Sequence, residues 1–165
     1  TGACGASNPC SNRGGSAILI GCARRGVAMA VVLRRRVDWP MLDVAAVVFY
    51  PQYFDIAHRF FEESWQQICG IDYPTLTLER RLGFPAVRTE ADHVAPLRYG
   101  DEIVCTLWIE KVGSKSTTWR YRFEDQNGTV TWKGMVVTVC VDLDTFESIP
   151  IPDEIAEALR TCTED

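Results

Sequence analysis

The sequence predicts an α+β domain in which one long helix lies across one face of an antiparallel sheet. Three observations lead there. Residues 50–68 repeat apolar or small side chains (Tyr50, Tyr53/Phe54, Ala57, Phe60/Phe61, Ser64/Trp65, Ile68) at i, i+3, i+4 and i+7 spacing, the stripe of an amphipathic helix. Further on, Ile103, Cys105, Leu107 and Ile109, and then Thr117, Trp119, Tyr121 and Phe123, alternate with more exposed partners at the two-residue period of a half-buried strand. The order strand, long helix, then about four meandering strands describes one helix on one antiparallel sheet of five strands or so.

The elements follow in order. The first 26 residues are rich in Gly, Ser and Asn and read as an extension to which no role is assigned; the domain runs over 27–165. In the first strand Val31, Leu33, Val37 and Trp39 share one parity until Pro40 stops it. A loop carrying Asp43 leads to the helix. Pro51 suits its first turn, where a missing N–H costs nothing, and Gly70 suits its end. Residues 84–97 are strand-like, 99–102 (YGDE) turn-like, and the Gly/Ser-containing turn KVGSKS separates the next two strands. DQNG at 125–128 signals a hairpin before a long strand over 129–142. A short helix over 150–159, with Asp153 at or near its N-terminus, closes the chain.

Bulk properties narrow the function. A chain of 165 residues fits one domain with a real core. The net charge of −5 argues against a nucleic-acid partner, and the short basic clusters at 24–25, 34–36 and 80–81 read as a solvated strand face or a contact with a few phosphates. Seven cysteines without a CxxC pair, and two histidines, are poor material for a metal site or a disulfide scaffold. Cys105 and Cys140 sit in strand patterns as small hydrophobes. The compartment reads as reducing, hence cytoplasmic, with a Cys4–Cys10 pair expected only under oxidants. No apolar run reaches the ~18 residues of a membrane span, and SAILIG is too short for a signal core.

The stretch DVAAVVFYPQYFD places Asp43 in a greasy segment just before the helix. Such an acid is either a turn or helix cap, or chemistry. The motif Asp43-Val-Ala-Ala-Val-Val-Phe-Tyr50-Pro-Gln-Tyr53 is followed by Ala95-Pro-Leu-Arg-Tyr-Gly-Asp101, by Gly113-Ser-Lys-Ser116, and by Val141-Asp142 leading to Pro150-Ile-Pro152. In this order, over about residues 30–160, the sequence resembles the hotdog-fold acyl-CoA thioesterases, in particular the 4-hydroxybenzoyl-CoA thioesterase family. Two departures stand out. Ala46 replaces a residue that is often Gly in the family, and the turn that carries a basic triplet in one member keeps only Lys115.

The resemblance implies thioester hydrolysis with Asp43 as general base or nucleophile. It also implies that the Tyr50 backbone N–H polarises the carbonyl, a choice supported by Pro51 having no N–H to offer. Ala45, Val47, Val48 and Phe49 are expected to desolvate the carboxylate. Phe49 and Phe54 are expected substrate-contact residues, within an aromatic set (with Phe61 and Trp65) that would fit an aryl or medium acyl chain. His58 is expected at the pocket or at the helix edge. Lys115 is expected either at a CoA phosphate or as a plain turn lysine. Glu62 and Glu63 read as solvated carboxylates. His93 and Asp92, adjacent on a strand, face opposite sides and form no dyad. Ser64 has no histidine at evident spacing. The family implies a homodimer joined sheet edge to sheet edge, often a tetramer, with a shared pocket, no metal, and CoA only as part of the substrate. The competing readings are a non-catalytic acyl-CoA binding module and an acyl-thioester hydratase or dehydratase.

Overall fold

The computed structural model describes residues 23–25 and 28–163. Its strands are β1 (Ala23–Arg25), β2 (Ala28–Arg36), β3 (Leu82–Gly83), β4 (Ala86–His93), β5 (Glu102–Val112), β6 (Ser116–Glu124), β7 (Val130–Val139) and β8 (Val141–Asp142), with helices α1 (Tyr50–Cys69) and α2 (Asp153–Arg160). Five strands form the expected antiparallel sheet in the order β2-β5-β6-β7-β4, and β1 adds a sixth beside β2. β3 and β8 form a separate two-stranded ribbon. Residues 1–22, including Cys4, Cys10 and Cys22, lie outside the described residues, while 23–25 on the near side of the expected boundary pair with β2.

The helix stripe and the strand alternation meet face to face. Tyr53, Ile56, Ala57, Phe60, Phe61, Ser64 and Trp65 are the buried residues of α1. They pack on inward-facing Trp119, Tyr121 and Phe123 of β6 and Trp132 of β7, all buried. The rings interlock mostly edge to face: Phe61 on Trp119 at 4.9 Å, Phe60 on Phe123 at 5.7 Å, Phe54 on Trp132 at 5.6 Å. Burying each such side chain stabilises by roughly 1.5–3 kcal/mol, and the ring geometry adds about 0.5–1.5 kcal/mol per pair. Two polar groups in this core are paired: Trp119 Nε1 donates to Thr138 Oγ1 at 3.0 Å, and Ser64 Oγ donates to the Phe61 carbonyl at 2.8 Å. Gly70 ends α1 in the left-handed region (φ 67°), its N–H bonded to the Gln66 carbonyl. Cys105 and Cys140 are buried free thiols, and burial pushes the Cys140 thiol up to about 11.

Two sequence expectations need correction. β2 ends at Arg36, and Trp39 opens a short 3-10 turn, 72% exposed, rather than continuing an inward-facing strand. Pro40 explains this: its fixed φ and missing N–H suit the turn and deny the ladder a donor. Arg35 and Glu63 are not solvated-face charges. They pair at 2.7 Å beside the helix, with the Arg35 guanidinium over the Phe60 ring at 5.5 Å.

The loop from β2 to α1 is tightly specified. Leu42 bridges Val48, the Asp43 N–H bonds the Val47 carbonyl at 3.0 Å, and the Ala46 N–H bonds the Asp43 carbonyl at 3.0 Å. The turn finishes with Ala46 at φ 59°. That is the left-handed region, where a Cβ costs roughly 1–2 kcal/mol and Gly is at ease. Ala46 therefore holds this turn at a backbone conformation that glycine would adopt without strain.

Two stability outcomes follow from these contacts. A Cβ on Gly134 would lie 2.1 Å from Trp132 Cη2, and that ring is held by Phe123 at 4.7 Å and Tyr53 at 6.1 Å. Gly134→Ala should destabilise by about 1–3 kcal/mol in urea unfolding. Ala46→Gly should instead raise the unfolding free energy from urea titration, by up to about 1 kcal/mol once the greater freedom of glycine in the unfolded chain is counted.

Candidate active site

α1 begins without a side-chain cap: Phe49 holds the N-cap position in extended conformation, and no acid occupies the first turn. The Phe49 N–H bonds the Met41 carbonyl and the Val48 N–H bonds the Leu97 carbonyl, each at 2.9 Å, so the chain entering the helix is anchored on both sides. Pro51 removes one donor of the first turn, and the Gln52 N–H turns back to the Phe49 carbonyl at 2.9 Å. Among the described residues no backbone acceptor takes the Tyr50 N–H. An unpaired first-turn amide at the positive end of a 20-residue helix is a ready donor for a developing negative oxygen.

Asp43 lies beside this helix end. Its Oδ1 accepts the Ala45 N–H at 2.8 Å, an Asx turn that fixes the side chain and leaves the second oxygen available. Asp43 and Tyr50 line one open groove of about 360 Å³ together with Tyr53, His93, Ala95 and Pro96. The expected apolar jacket around Asp43 is absent within one chain. Asp43, Val44, Ala45 and Ala46 are exposed, and only Val48 of the neighbouring residues is buried. The reason is the turn geometry: the loop projects outward from the Leu42–Val48 bridge, so its side chains leave the core.

The other expected site residues scatter. Phe49 is 43% exposed and meets Tyr50 edge-on at 5.2 Å, outside the groove residues. Phe54 and His58 line a second hollow of about 420 Å³, one turn further along α1. His58 Nε2 lies 3.2 Å from Glu62 Oε1, and the ring stacks on Phe61 at 5.8 Å. Lys115 sits at the β5–β6 turn, where its ammonium donates to the Ser148 carbonyl at 2.7 Å and to its hydroxyl at 3.3 Å. Its neighbour Ser116 pairs with Val139 at the end of the sheet where β4 starts, whereas Asp43 shares its groove with His93, where β4 ends.

Two further residues reach the groove, although the sequence assigned neither a place there. His93 reaches the groove because β4 places it opposite Trp132 at the strand's far end, with its ring 5.0 Å from Tyr53. Tyr53 is 3% exposed, and burial raises its hydroxyl pKa, partly offset by a hydrogen bond with the Leu97 backbone. Only the strand register and the helix azimuth bring these rings to Asp43.

Comparison with known proteins agrees with this architecture. Residues 37–159 match the thioesterase-like superfamily. The chain is 26% identical over 137 residues to a 1,4-dihydroxy-2-naphthoyl-CoA hydrolase of Nostoc punctiforme, covering 83% of this chain and 91% of that protein. A thioesterase-superfamily structure from Jannaschia superposes with a TM-score of 0.78 at 25% identity, covering 82% of this chain and 94% of the other. A gentisyl-coenzyme A thioesterase superposes with a TM-score of 0.70 at 26% identity, covering 76% and 98%. The sequence match thus takes in the loop carrying Asp43, the long helix and the whole sheet beyond β2, and the chain belongs to the thioesterase-like superfamily as a hotdog-fold thioesterase.

Proposed function

We propose that this chain hydrolyses acyl-CoA thioesters, with Asp43 and the Tyr50 amide as the reacting machinery. The observation that carries the reading is the groove itself: a carboxylate locked by an Asx turn and an unpaired helix-start N–H border one hollow. The thioester carbonyl oxygen accepts the Tyr50 N–H, and one such donor is worth about 3 kcal/mol as charge builds on that oxygen. The available Asp43 oxygen then takes a proton from water as that water attacks the carbonyl carbon, or it attacks the carbon itself to form a mixed anhydride that water opens. Either way the C–S bond breaks, CoA leaves as thiolate and is protonated, and CoA enters only as part of the substrate. After single turnover in ¹⁸O-water, label found in Asp43 identifies the anhydride route, with water opening the anhydride at the aspartyl carbonyl, whereas general-base attack labels only the released acid.

A second copy of the chain completes the site in this reading. β4 is the sheet edge opposite β1 and is exposed almost throughout, with Val87 on it, Val94 just beyond it, and Val44, Phe49 and Tyr50 exposed nearby. An unpaired edge flanked by exposed apolar side chains is the surface a sheet-extending partner covers. Antiparallel pairing of two β4 strands about a two-fold axis puts the start of one beside the end of the other, an offset of roughly 24 Å along the strand. It thereby carries the Lys115 turn of the second copy toward the Asp43 groove of the first. Lys115 retains a third N–H beyond its two bonds to Ser148, free for a CoA phosphate.

Asp43→Asn keeps an acceptor for the Ala45 N–H while removing the base. It should lower kcat about 10²–10⁴-fold in a thiol-release assay, with CoA-ester binding retained in calorimetry. A wild type that binds acyl-CoA yet releases no thiol overturns the enzyme reading in favour of a binding module. Light scattering should return at least twice the 18.5 kDa chain mass, and a stable monomer at micromolar concentration would remove the shared site.

A further inference from the structure

The Asp43 groove holds a second group able to take a proton. Of the side chains that line it, Asp43, Tyr50, Tyr53 and His93 are ionisable. Tyr53 is 3% exposed, its hydroxyl is engaged with the Leu97 backbone, and burial favours its neutral form. Phenols in general are poor bases near neutral pH, whereas carboxylates and imidazoles accept a proton readily. That leaves Asp43 and His93. The His93 ring meets Tyr53 edge to face (5.0 Å, 87°), and among the described residues no protein group bonds either ring nitrogen. A phenylalanine would make the same edge contact, so core packing gives no reason for an imidazole here.

The imidazole is held in place from several sides. β4 sets His93 opposite Trp132 of β7, and just beyond it the Val94 and Ala95 N–H groups both bond the Thr131 carbonyl, at 2.9 and 3.1 Å. Tyr53, against which the ring rests, is stacked on Trp132 at 6.1 Å. Leu97 then gives its carbonyl to the Val48 N–H at 2.9 Å, and Val47 gives its carbonyl to the Asp43 N–H at 3.0 Å. Strand end, helix start and Asp43 turn are thus bonded into one unit. Other charges are turned away. Asp92 opens on the opposite side of the sheet with Arg122 and Lys133, and the first turn of α1 carries no acid. Among the described residues, Asp43 is the one carboxylate that shares the groove with the imidazole.

We propose that His93 is a second catalytic residue, whose neutral imidazole accepts a hydrogen bond from the attacking water. The inference rests on the proposed thioester hydrolysis. The groove, about 360 Å³, has room for a thioester group and a water of roughly 30 Å³. A water held by one acceptor still turns about that bond; two acceptors fix both O–H directions and aim its lone pair at the carbon. In the direct route the water oxygen bonds the carbonyl carbon. One of its protons passes to Asp43, and the other stays on the forming acid, hydrogen-bonded to His93. The carbonyl π pair moves to the oxygen at the Tyr50 N–H and returns as the C–S bond breaks, and the thiolate takes the proton from Asp43. In the anhydride route Asp43 is itself acylated, so the imidazole takes the proton of the water that opens the anhydride and returns it to the thiolate. Imidazolium has no acceptor, so both routes need His93 neutral.

The test compares wild type, His93→Phe and His93→Gln by thiol release from benzoyl-CoA and butyryl-CoA across pH. His93→Phe keeps a ring against Tyr53 without an acceptor, and His93→Gln restores an acceptor oxygen. His93→Phe should lower kcat about tenfold, the value of one hydrogen bond to the attacking water, with KM within about twofold and the urea midpoint unchanged. His93→Gln should stay within about threefold of wild type. Wild-type kcat/KM should climb with pH through the range in which histidine loses its proton, and His93→Gln should lack that climb, since an amide does not titrate. A merely structural role for the ring moves neither the acceptor dependence nor the pH profile. The assignment is overturned if His93→Phe stays within twofold of wild type or if both variants slow equally. It is also overturned if the climb is missing from wild type or persists in His93→Gln. A wild type that releases no thiol from either ester removes the hydrolysis reading and this assignment together, whereas an active wild type matched by His93→Phe removes the assignment alone.

Discussion

The packing of the α1 aromatic stripe against Trp119, Phe123 and Trp132 is the constraint on which the rest of the structure depends. These rings are large, buried and interlocked edge to face, so they set both the rotation of the helix about its axis and its position along the sheet. Sliding α1 by one residue would break several ring contacts together. Because the helix is fixed in this way, its N-terminus emerges at one defined place, beside the end of β4 and the loop after β2. The groove with Asp43, Tyr50 and His93 is a consequence of that placement.

Around this rigid centre the backbone departs from comfortable geometry at a few turns. Ala46 closes the turn that aims Asp43, while Arg81 and Phe146 belong to two turns joined by the Arg81–Asp144 ion pair. The core-forming elements show no such strain among the described residues. Stability is concentrated in the helix–sheet interface, and the less favourable conformations are borne by loops.

The site of a single chain is open on one side. Asp43 and its neighbours are exposed, and the β4 edge next to them is unpaired. An exposed carboxylate differs from the desolvated one that the local apolar residues suggested. Val44, Phe49 and Tyr50 point away from their own core, where a second chain would cover them. Water exclusion at the groove, in this reading, is a property of the assembly rather than of the loop.

Much of this was legible in the amino-acid order. The helix over 50–68, the inward parity of Ile103 to Ile109 and of Thr117 to Phe123, the stop at Gly70 and the turn at DQNG all follow from local periodicity and turn chemistry. The structure has them where the periodicity puts them. The motif around Asp43 and Tyr50 was legible too, because its parts are close in sequence and the helix start makes the geometry local. Trp39 was misread because parity alone does not register how Pro40 ends a strand. Arg35 and Glu63 were misread because a charge on an inward position looks solvated until its partner, 28 residues away, is found. His93 and Tyr53 at the groove, and the ion pair between Arg81 and Asp144, depend on strand register and on loops meeting across 63 residues. Local sequence determined which elements form and where Asp43 and the helix start sit along the chain. The long-range packing of α1 on the sheet decided which of those groups share a hollow, because only contacts between distant segments set the rotation and register that bring them together.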